Sequence, residues 1–238
     1  MILKSAIILA GGKGTRLEEK TLELPKPLIP VGGKPLLERI LEWLRKNGVE
    51  NVIIGVAYKK EKIKEYFGDG SKFGLNIIYT EHDENGGTED AFKTAIESSK
   101  IGDENFYAMN GDQITDLQLE GLTNFHLQKN SVATIVSIKL KTNYGIIKTD
   151  HEGRITEFQE KHEVPGILMN SGIYVFNKKI KNVLSGGNIE ENAFRKLIKN
   201  KSISSFYYDG MWFTVNDKKQ LKQAEEMIGK FDSLEKVE

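Results

Sequence analysis

The sequence predicts an α/β fold built on a mostly parallel, doubly wound sheet. Three observations lead there. Short β-branched runs alternate with amphipathic helical stretches through the first half of the chain. Those runs are apolar throughout rather than alternating, as strands buried on both faces are. The first of them stops at a glycine-rich turn, where a βα unit bends into its crossover.

Taken in order, "SAIILA" (5–10) and "NVIIGVA" (51–57) are strands, with the helical "KPLLERILEWLRKNG" (34–48) between them. That helix sets Leu36, Leu37, Ile40, Leu41 and Leu44 on one stripe and closes at Gly48. "KEKIKEYFG" is a shorter helix ending at Gly68, "LNIIYT" (75–80) a strand, and "TEDAFKTAIESS" (88–99) a helix. "NFYAMNGD" (105–112) is a strand running into a polar turn. The second half changes character. "SVATIVSIKL" (131–140), "YGIIKTD", "GRITEFQE" and "ILMNSGIYVF" (167–176) are strands on short turns, which predicts a more antiparallel region. Helices follow over "EENAFRKLIKN" (190–200) and "KKQLKQAEEMIGKF" (218–231), with "SISSFYY" between them. No linker, internal repeat or low-complexity tract divides the chain, so 1–238 is expected to be a single domain.

Composition narrows the function. With Lys+Arg 34 against Asp+Glu 34 there is no broad attraction to nucleic acid or to a membrane surface, so phosphate binding has to be local. The absence of cysteine removes disulfides, zinc–thiolate sites and cysteine nucleophiles. The opening apolar run is short and glycine-ended, a buried strand rather than a signal peptide, and no run reaches the roughly 20 apolar residues of a membrane span. A cytoplasmic protein is expected.

The turn after the first strand carries Gly11, Gly12 and Gly14, which let backbone amides approach a ligand closely. It is not a Walker loop. It also breaks the dinucleotide fingerprint, because Leu17 stands where the third glycine would be. Two cations follow. Arg16 can grip phosphate oxygens bidentately, and Lys26 is a point charge on backbone stiffened by Pro25 and Pro27. Arg16 alone reads as a solvated charge; the whole string does not.

"LAGGKGTRL…PKPLIPVGGKPLLERIL" closely resembles the signature of the sugar-1-phosphate nucleotidyltransferases, and later landmarks keep that family's order: "GGTEDA" (86–91), "NGD" (110–112), "YGII" (144–147), "FQEK" (158–161), "NSGIYVF" (170–176) and a terminal "W…VND…L". The resemblance implies a glycosyltransferase-A-like fold, a Rossmann-like three-layer sandwich on a mostly parallel mixed sheet. It implies a nucleotide-binding half (1–115) and a sugar-phosphate-binding half (116–238). The reaction joins a nucleoside triphosphate to a sugar 1-phosphate of glucose, mannose or heptose type, giving a nucleotide sugar and pyrophosphate. By resemblance Arg16 holds the departing β/γ-phosphates, Lys26 the α-phosphate and attacking oxygen, and Lys161 the sugar phosphate. Leu9, Ala10, Gly11, Gly12, Gly14, Thr15, Glu81, Gly87 and Thr88 are the implied nucleotide contacts, and Gly145, Glu160 and Asn170 the sugar contacts; Glu81 reads equally as a surface residue, Glu160 as a strand-end charge and Asn170 as a bulge or turn residue. Mg2+ is the implied cofactor, held by Asp112 with Asn216 as second ligand, or failing that Asp217, which equally reads as a helix N-cap. No nucleic acid or membrane partner is implied, and a homo-oligomer is left open.

The chain departs from the family at several points. Thr214 stands where an Asp commonly follows the Trp, His162 replaces a frequent proline, and Glu89 replaces a small residue near the expected base. "VND" and His162 keep a second acceptor in view, a small phosphomonoester such as phosphocholine, caged by Tyr144, Tyr174 and Trp212. A non-catalytic nucleotide-sugar sensor is the alternative of another class, and a Rossmann dehydrogenase is disfavoured by the broken fingerprint. His82, His126, His151 and His162 show no ligand spacing, and His126 is expected on a helix surface. Trp43 belongs to the amphipathic helix, in core or interface.

Overall fold

The computed structural model of the chain describes residues 1–17, 23–99, 102–142, 144–160 and 163–234, with side chains to residue 228. The first half runs β1 (Ser5–Leu9), a short hairpin of β2 (Pro30–Val31) and β3 (Lys34–Pro35), α1 (Leu36–Lys46), β4 (Asn51–Val56), α2 (Lys60–Phe67), β5 (Asn76–Glu81), α3 (Thr88–Ser98) and β6 (Asn105–Asn110). The remainder is β7 (Gln113–Thr115), α4 (Leu119–Lys129), β8 (Ala133–Lys141), β9 (Ile146–Thr149), β10 (Ile155–Gln159), β11 (Glu163–Asn177), α5 (Ala193–Lys199), β12 (Ile203–Tyr207), β13 (Trp212–Thr214) and α6 (Lys218–Leu234).

The central sheet has seven strands in the order β12-β8-β11-β6-β1-β4-β5. All pairings are parallel except those of β11, which runs against both β6 and β8. The sheet is therefore mostly parallel and mixed. The antiparallel character expected of the second half is confined within it to β11, since "SISSFYY" forms β12 parallel to β8. The β9–β10 hairpin and the β7–β13 ribbon stand outside it.

Both faces of the sheet are covered, which explains the continuous apolar runs. Ala6, Ile8, Val52, Ile54 and Val56 pack with Leu37, Ile40, Leu41 and Leu44 of α1 and Ile63 and Phe67 of α2. On the other face Ile7 and Ile53 pack with Phe92 and Ala95 of α3 and Phe194 and Leu197 of α5. A third cluster joins Leu17, Ile29, Val31 and Leu36 to Val215, Leu221, Ala224 and Ile228, so α6 closes onto the segment that follows β1.

His126 differs from its expectation. It lies on a helix, α4, but is 1% exposed, with Nδ1 2.8 Å from Thr134 Oγ1 and Nε2 3.1 Å from Asn105 Oδ1. Partners on β8 and β6 satisfy both ring nitrogens, so this face of α4 turns inward despite its polar residue. Trp43 is partly buried against the α1 side of the core, its Nε1 donating to Leu117 O at 2.9 Å.

Candidate active site

The chain order around β1 creates the site. From β1 it winds out to β4 and β5, then returns through α3 to β6 on β1's other side. Loops leaving the carboxyl ends of β1 and β6 therefore part in opposite directions and open a crevice, the place where open α/β sheets hold ligands. A cleft of about 230 Å³ lies there, lined by Leu9 at the end of β1 with Ala10, Gly11 and Gly12 after it, and by Asn110 at the end of β6 with Gly111 and Asp112 after it. Gly111 has to be glycine, because a Cβ would stand 2.6 Å from Leu9 O.

Lys26 enters this cleft from the side. Pro25 and Pro27 are buried, and Lys26 opens a short 3₁₀ turn (Lys26–Leu28) fastened by Leu28 N–H to Pro25 O at 2.9 Å. The ammonium is thereby delivered 2.7 Å from Asp112 Oδ2 and 2.8 Å from Asn216 Oδ1. The β7–β13 ribbon brings these two oxygens together across more than a hundred residues: Thr214 pairs with Gln113, and Val215 N–H donates to Asp112 O at 3.1 Å. Thr214, standing where the sequence lacks the expected Asp, accepts from Asn216 Nδ2 at 2.8 Å and so turns Oδ1 toward Lys26. Gln113 Nε2 donates to Asp112 Oδ1 at 2.6 Å.

Asp217 faces elsewhere. Its Oδ1 accepts from Gln220 N–H at 2.8 Å and its carbonyl from Leu221 N–H, the geometry of an N-cap on α6. Of the two candidates for a second metal ligand, the fold sets Asn216 beside Asp112 and commits Asp217 to the helix.

Gly87 and Thr88 line the opposite wall at the start of α3. Glu81 does not line the cleft: as the last residue of β5 it accepts from Lys60 and Lys64 of α2, and those hydrogen bonds hold its carboxyl down at about 2. The next residue takes its place. His82 lines the cleft floor, its ring 2.4 Å from where a Gly11 Cβ would stand, and burial lowers its pKa. Its Nδ1 is buried with no hydrogen-bond partner among the described residues. Sequence spacing passed over His82, although its place directly after a parallel strand is a signal for ligand contact. Pro27, Glu84, Gly86, Ala91, Asn110 and Gly111 were also missed. Glu84 meets Lys13 of the glycine loop at 3.1 Å.

Gly14, at φ 64, starts the turn that carries Thr15 and Arg16, both exposed and outside the cleft lining. Leu17 at its end is fully buried, which is why it stands where a dinucleotide loop would have glycine. Gly145 and Glu160 meet at one end of the β9–β10 hairpin, with Glu160 Oε2 3.1 Å from a Gly145 Cβ position. Asn170 sits at an irregularity of β11: its Oδ1 accepts from Gly172 N–H and its Nδ2 donates to Tyr174 OH, both at 2.9 Å. Lys161 and His162 lie outside the described residues. The proposed aromatic cage does not assemble. Tyr174 is fully buried against Phe92, Phe176 and Phe194, and Tyr144 is 82% exposed. Trp212 pins β13 to β11 through Nε1 and Ser171 O, 3.0 Å apart.

Glu89 also departs from expectation. It is fully buried and turns its carboxylate away from the cleft, toward the backbone of residues 185–193. No helix among the described residues is long and apolar enough to cross a membrane.

Comparison with known proteins places this geometry. The Nucleotidyl transferase family profile matches residues 5–235. The chain is 34% identical to a UTP–glucose-1-phosphate uridylyltransferase of Synechocystis sp. over 81% of its length and 55% of the relative's. It is 35% identical to a mannose-1-phosphate guanyltransferase of Yarrowia lipolytica over 90% and 61%. The bifunctional protein GlmU of Methanocaldococcus jannaschii is 38% identical over 87% and 50%. The chain thus spans about half to three-fifths of the length of the curated relatives it matches. Among solved structures, UDP-glucose pyrophosphorylase complexed with UDP-glucose shares the fold (TM-score 0.75, 22% identity, 97% of this chain and 99% of that one). HddC from Yersinia pseudotuberculosis complexed with GMP-PN aligns with a TM-score of 0.73 at 25% identity over 95% and 100%. With a profile match running from the first strand into the last helix, the chain belongs to the nucleotidyl transferase family.

Proposed function

We propose that this chain is the catalytic domain of a sugar-1-phosphate nucleotidyltransferase, transferring a nucleoside monophosphate from a nucleoside triphosphate to a sugar 1-phosphate and releasing pyrophosphate. The observation that carries the reading is the ammonium of Lys26, held beside Asp112 and Asn216 in a glycine-lined cleft at the switch point of the sheet. Attack of one phosphate on another sets two anions together and builds charge on the departing pyrophosphate, so positioning and charge neutralisation do most of the catalytic work. Lys26 offers the neutralising charge on a rigid turn, and the glycine amides offer a contact surface that side chains would block. Arg16, exposed on its turn, is assigned to the leaving phosphates, and Lys161 to the incoming one.

The donor set suits a magnesium ion. Among the described residues no group of three or more His, Cys, Asp or Glu could hold a metal, whereas one carboxylate and one amide oxygen already flank a cation. Magnesium takes few protein oxygens and completes its shell with water and phosphate. When bound it would neutralise phosphate charge; Asp112 and Asn216 would hold it, and Gln113 and Thr214 orient those two side chains. A cytoplasmic setting belongs to the same reading.

The test is pyrophosphate release across a matrix of nucleoside triphosphates and sugar 1-phosphates with magnesium present. One productive pair is expected. Folded protein that turns over no pair would sink the proposal.

A further inference from the structure

The first turn of α3 is tied to a distant segment by an unusual set of contacts. Oε1 of Glu89 accepts from Ser185 N–H, from Ser185 Oγ at 3.2 Å and from Gly186 N–H at 3.0 Å, while Oε2 accepts from Ala193 N–H at 3.2 Å. Its own N–H donates to Gly187 O at 2.9 Å. Asp90 Oδ2 accepts from Gly87 N–H at 3.2 Å and from Gly187 N–H at 2.8 Å, and Thr88 Oγ1 accepts from Ile189 N–H at 3.1 Å. The two backbones are so close that a Cβ on Gly87 would stand 1.9 Å from Gly187 O.

This arrangement has a direction. Gly86, Gly87, Thr88 and Ala91 line the cleft, whereas the segment 185–193 contributes nothing to its lining. The segment is therefore a splint behind the cleft wall, and Glu89 and Asp90 are its rivets. Among the described residues Glu89 meets no cation, and its buried carboxylate persists because several amides satisfy it. The body of α3 is held independently, by Phe92 and Ala95 in the core, so the carboxylates govern the first turn rather than the helix as a whole.

We propose that Glu89 is a positioning residue for nucleotide capture: it fixes the Gly86–Thr88 wall through the 185–193 segment, without touching substrate. This rests on the transferase reading above. A wall held in its bound shape saves the ordering cost at binding and leaves the chemical step to Lys26 and Asp112.

Glu89→Gln tests it. The amide keeps the volume but turns an N–H₂ toward one of the backbone donors. Relative to wild type, KM for the nucleoside triphosphate should rise about tenfold or more. Meanwhile kcat should stay within about threefold, and KM for the sugar 1-phosphate should be unchanged at saturating nucleotide. Hydrogen exchange in the ligand-free protein should quicken in peptides covering 86–91 and 185–189 and nowhere else. An unchanged nucleotide KM, or equal losses in both KM values and kcat, would overturn the proposal. If Glu89→Gln does not fold, Asp90→Asn carries the same expectation through the Gly87–Gly187 tie. A wild type that turns over no substrate pair refutes the transferase reading instead; calorimetric titration with nucleoside triphosphate then decides this inference, since equal affinity in wild type and variant would refute it.

Discussion

Replacing Lys26 by Met removes the ammonium from between Asp112 and Asn216 while keeping an unbranched side chain only one heavy atom shorter. The Lys26 and Asp112 side chains are only 12% and 19% exposed, so the pair is poorly screened by water. Two unit charges 2.7 Å apart attract by about 6 kcal/mol at an effective dielectric of about 20. Most of that offsets their desolvation. Removing one partner strands the other, which costs about 3 kcal/mol. In a chain of 238 residues this lowers the melting temperature by about 6–12 °C. On the proposed magnesium site, the same change clears the two oxygens for a divalent cation, which in the wild type would first have to displace the ammonium. Manganese should therefore raise the melting temperature of Lys26→Met more than that of wild type, with up to about 2.7 kcal/mol available at a hundredfold excess over Kd. Adding Asp112→Asn should abolish the gain. Turnover of Lys26→Met should fall at least about a hundredfold. Thermal melts with and without manganese read the effect apart from activity. If manganese raises both proteins equally, or the variant melts like wild type, the ammonium and the cation do not share these oxygens and the argument fails.

His126 makes stability depend on pH. Burial pulls its pKa down to about 4, against about 6.5 in the unfolded chain, so the unfolded state binds the extra proton between those values. Its contribution is complete above pH 6.5 and about 3 kcal/mol is lost as pH falls through 4; urea melts of wild type and His126→Gln at pH 7.5, 5.5 and 4 should diverge, and parallel curves would refute the assignment. Asp217→Ala should lose about 1 kcal/mol of helix capping with turnover nearly intact, whereas Asn216→Ala should lose turnover; the reverse order in a steady-state assay would exchange their roles. Gly172→Ala puts a side chain at φ 78, 2.7 Å from Gln113 Nε2, and should cost about 1–3 kcal/mol by chemical denaturation.

How far the sequence could be read depends on how local each cause is. The stripe of Leu37, Ile40, Leu41 and Leu44 in α1 and the apolar runs of β1 and β4 were legible because their periods lie within one element. The polar cap at Asp217 was legible for the same reason. Glu89 was not. Its neighbours in sequence, Gly87 and Thr88, line the cleft, but its direction is set by donors about a hundred residues further along. His126 has polar neighbours on its own helix, and only β8 and β6 make burying it worthwhile. Glu81 and His82 adjoin in sequence, yet strand alternation sends one to the lysines of α2 and the other to the cleft.

The alternation of strand and helix by itself determined the α/β class, and the motifs in their order carried the resemblance to the nucleotidyl transferases, with Lys26 and Asp112 among the candidate site residues. Tertiary structure decided between neighbours: His82 rather than Glu81 lines the cleft, and Asn216 rather than Asp217 meets Lys26 beside Asp112. It also decided that Lys26 occupies the oxygens assigned to a metal. The reason is physical. Periodicity and capping are settled within a few residues of backbone, whereas the aim of a buried polar side chain is settled by whichever distant donor or acceptor can satisfy it.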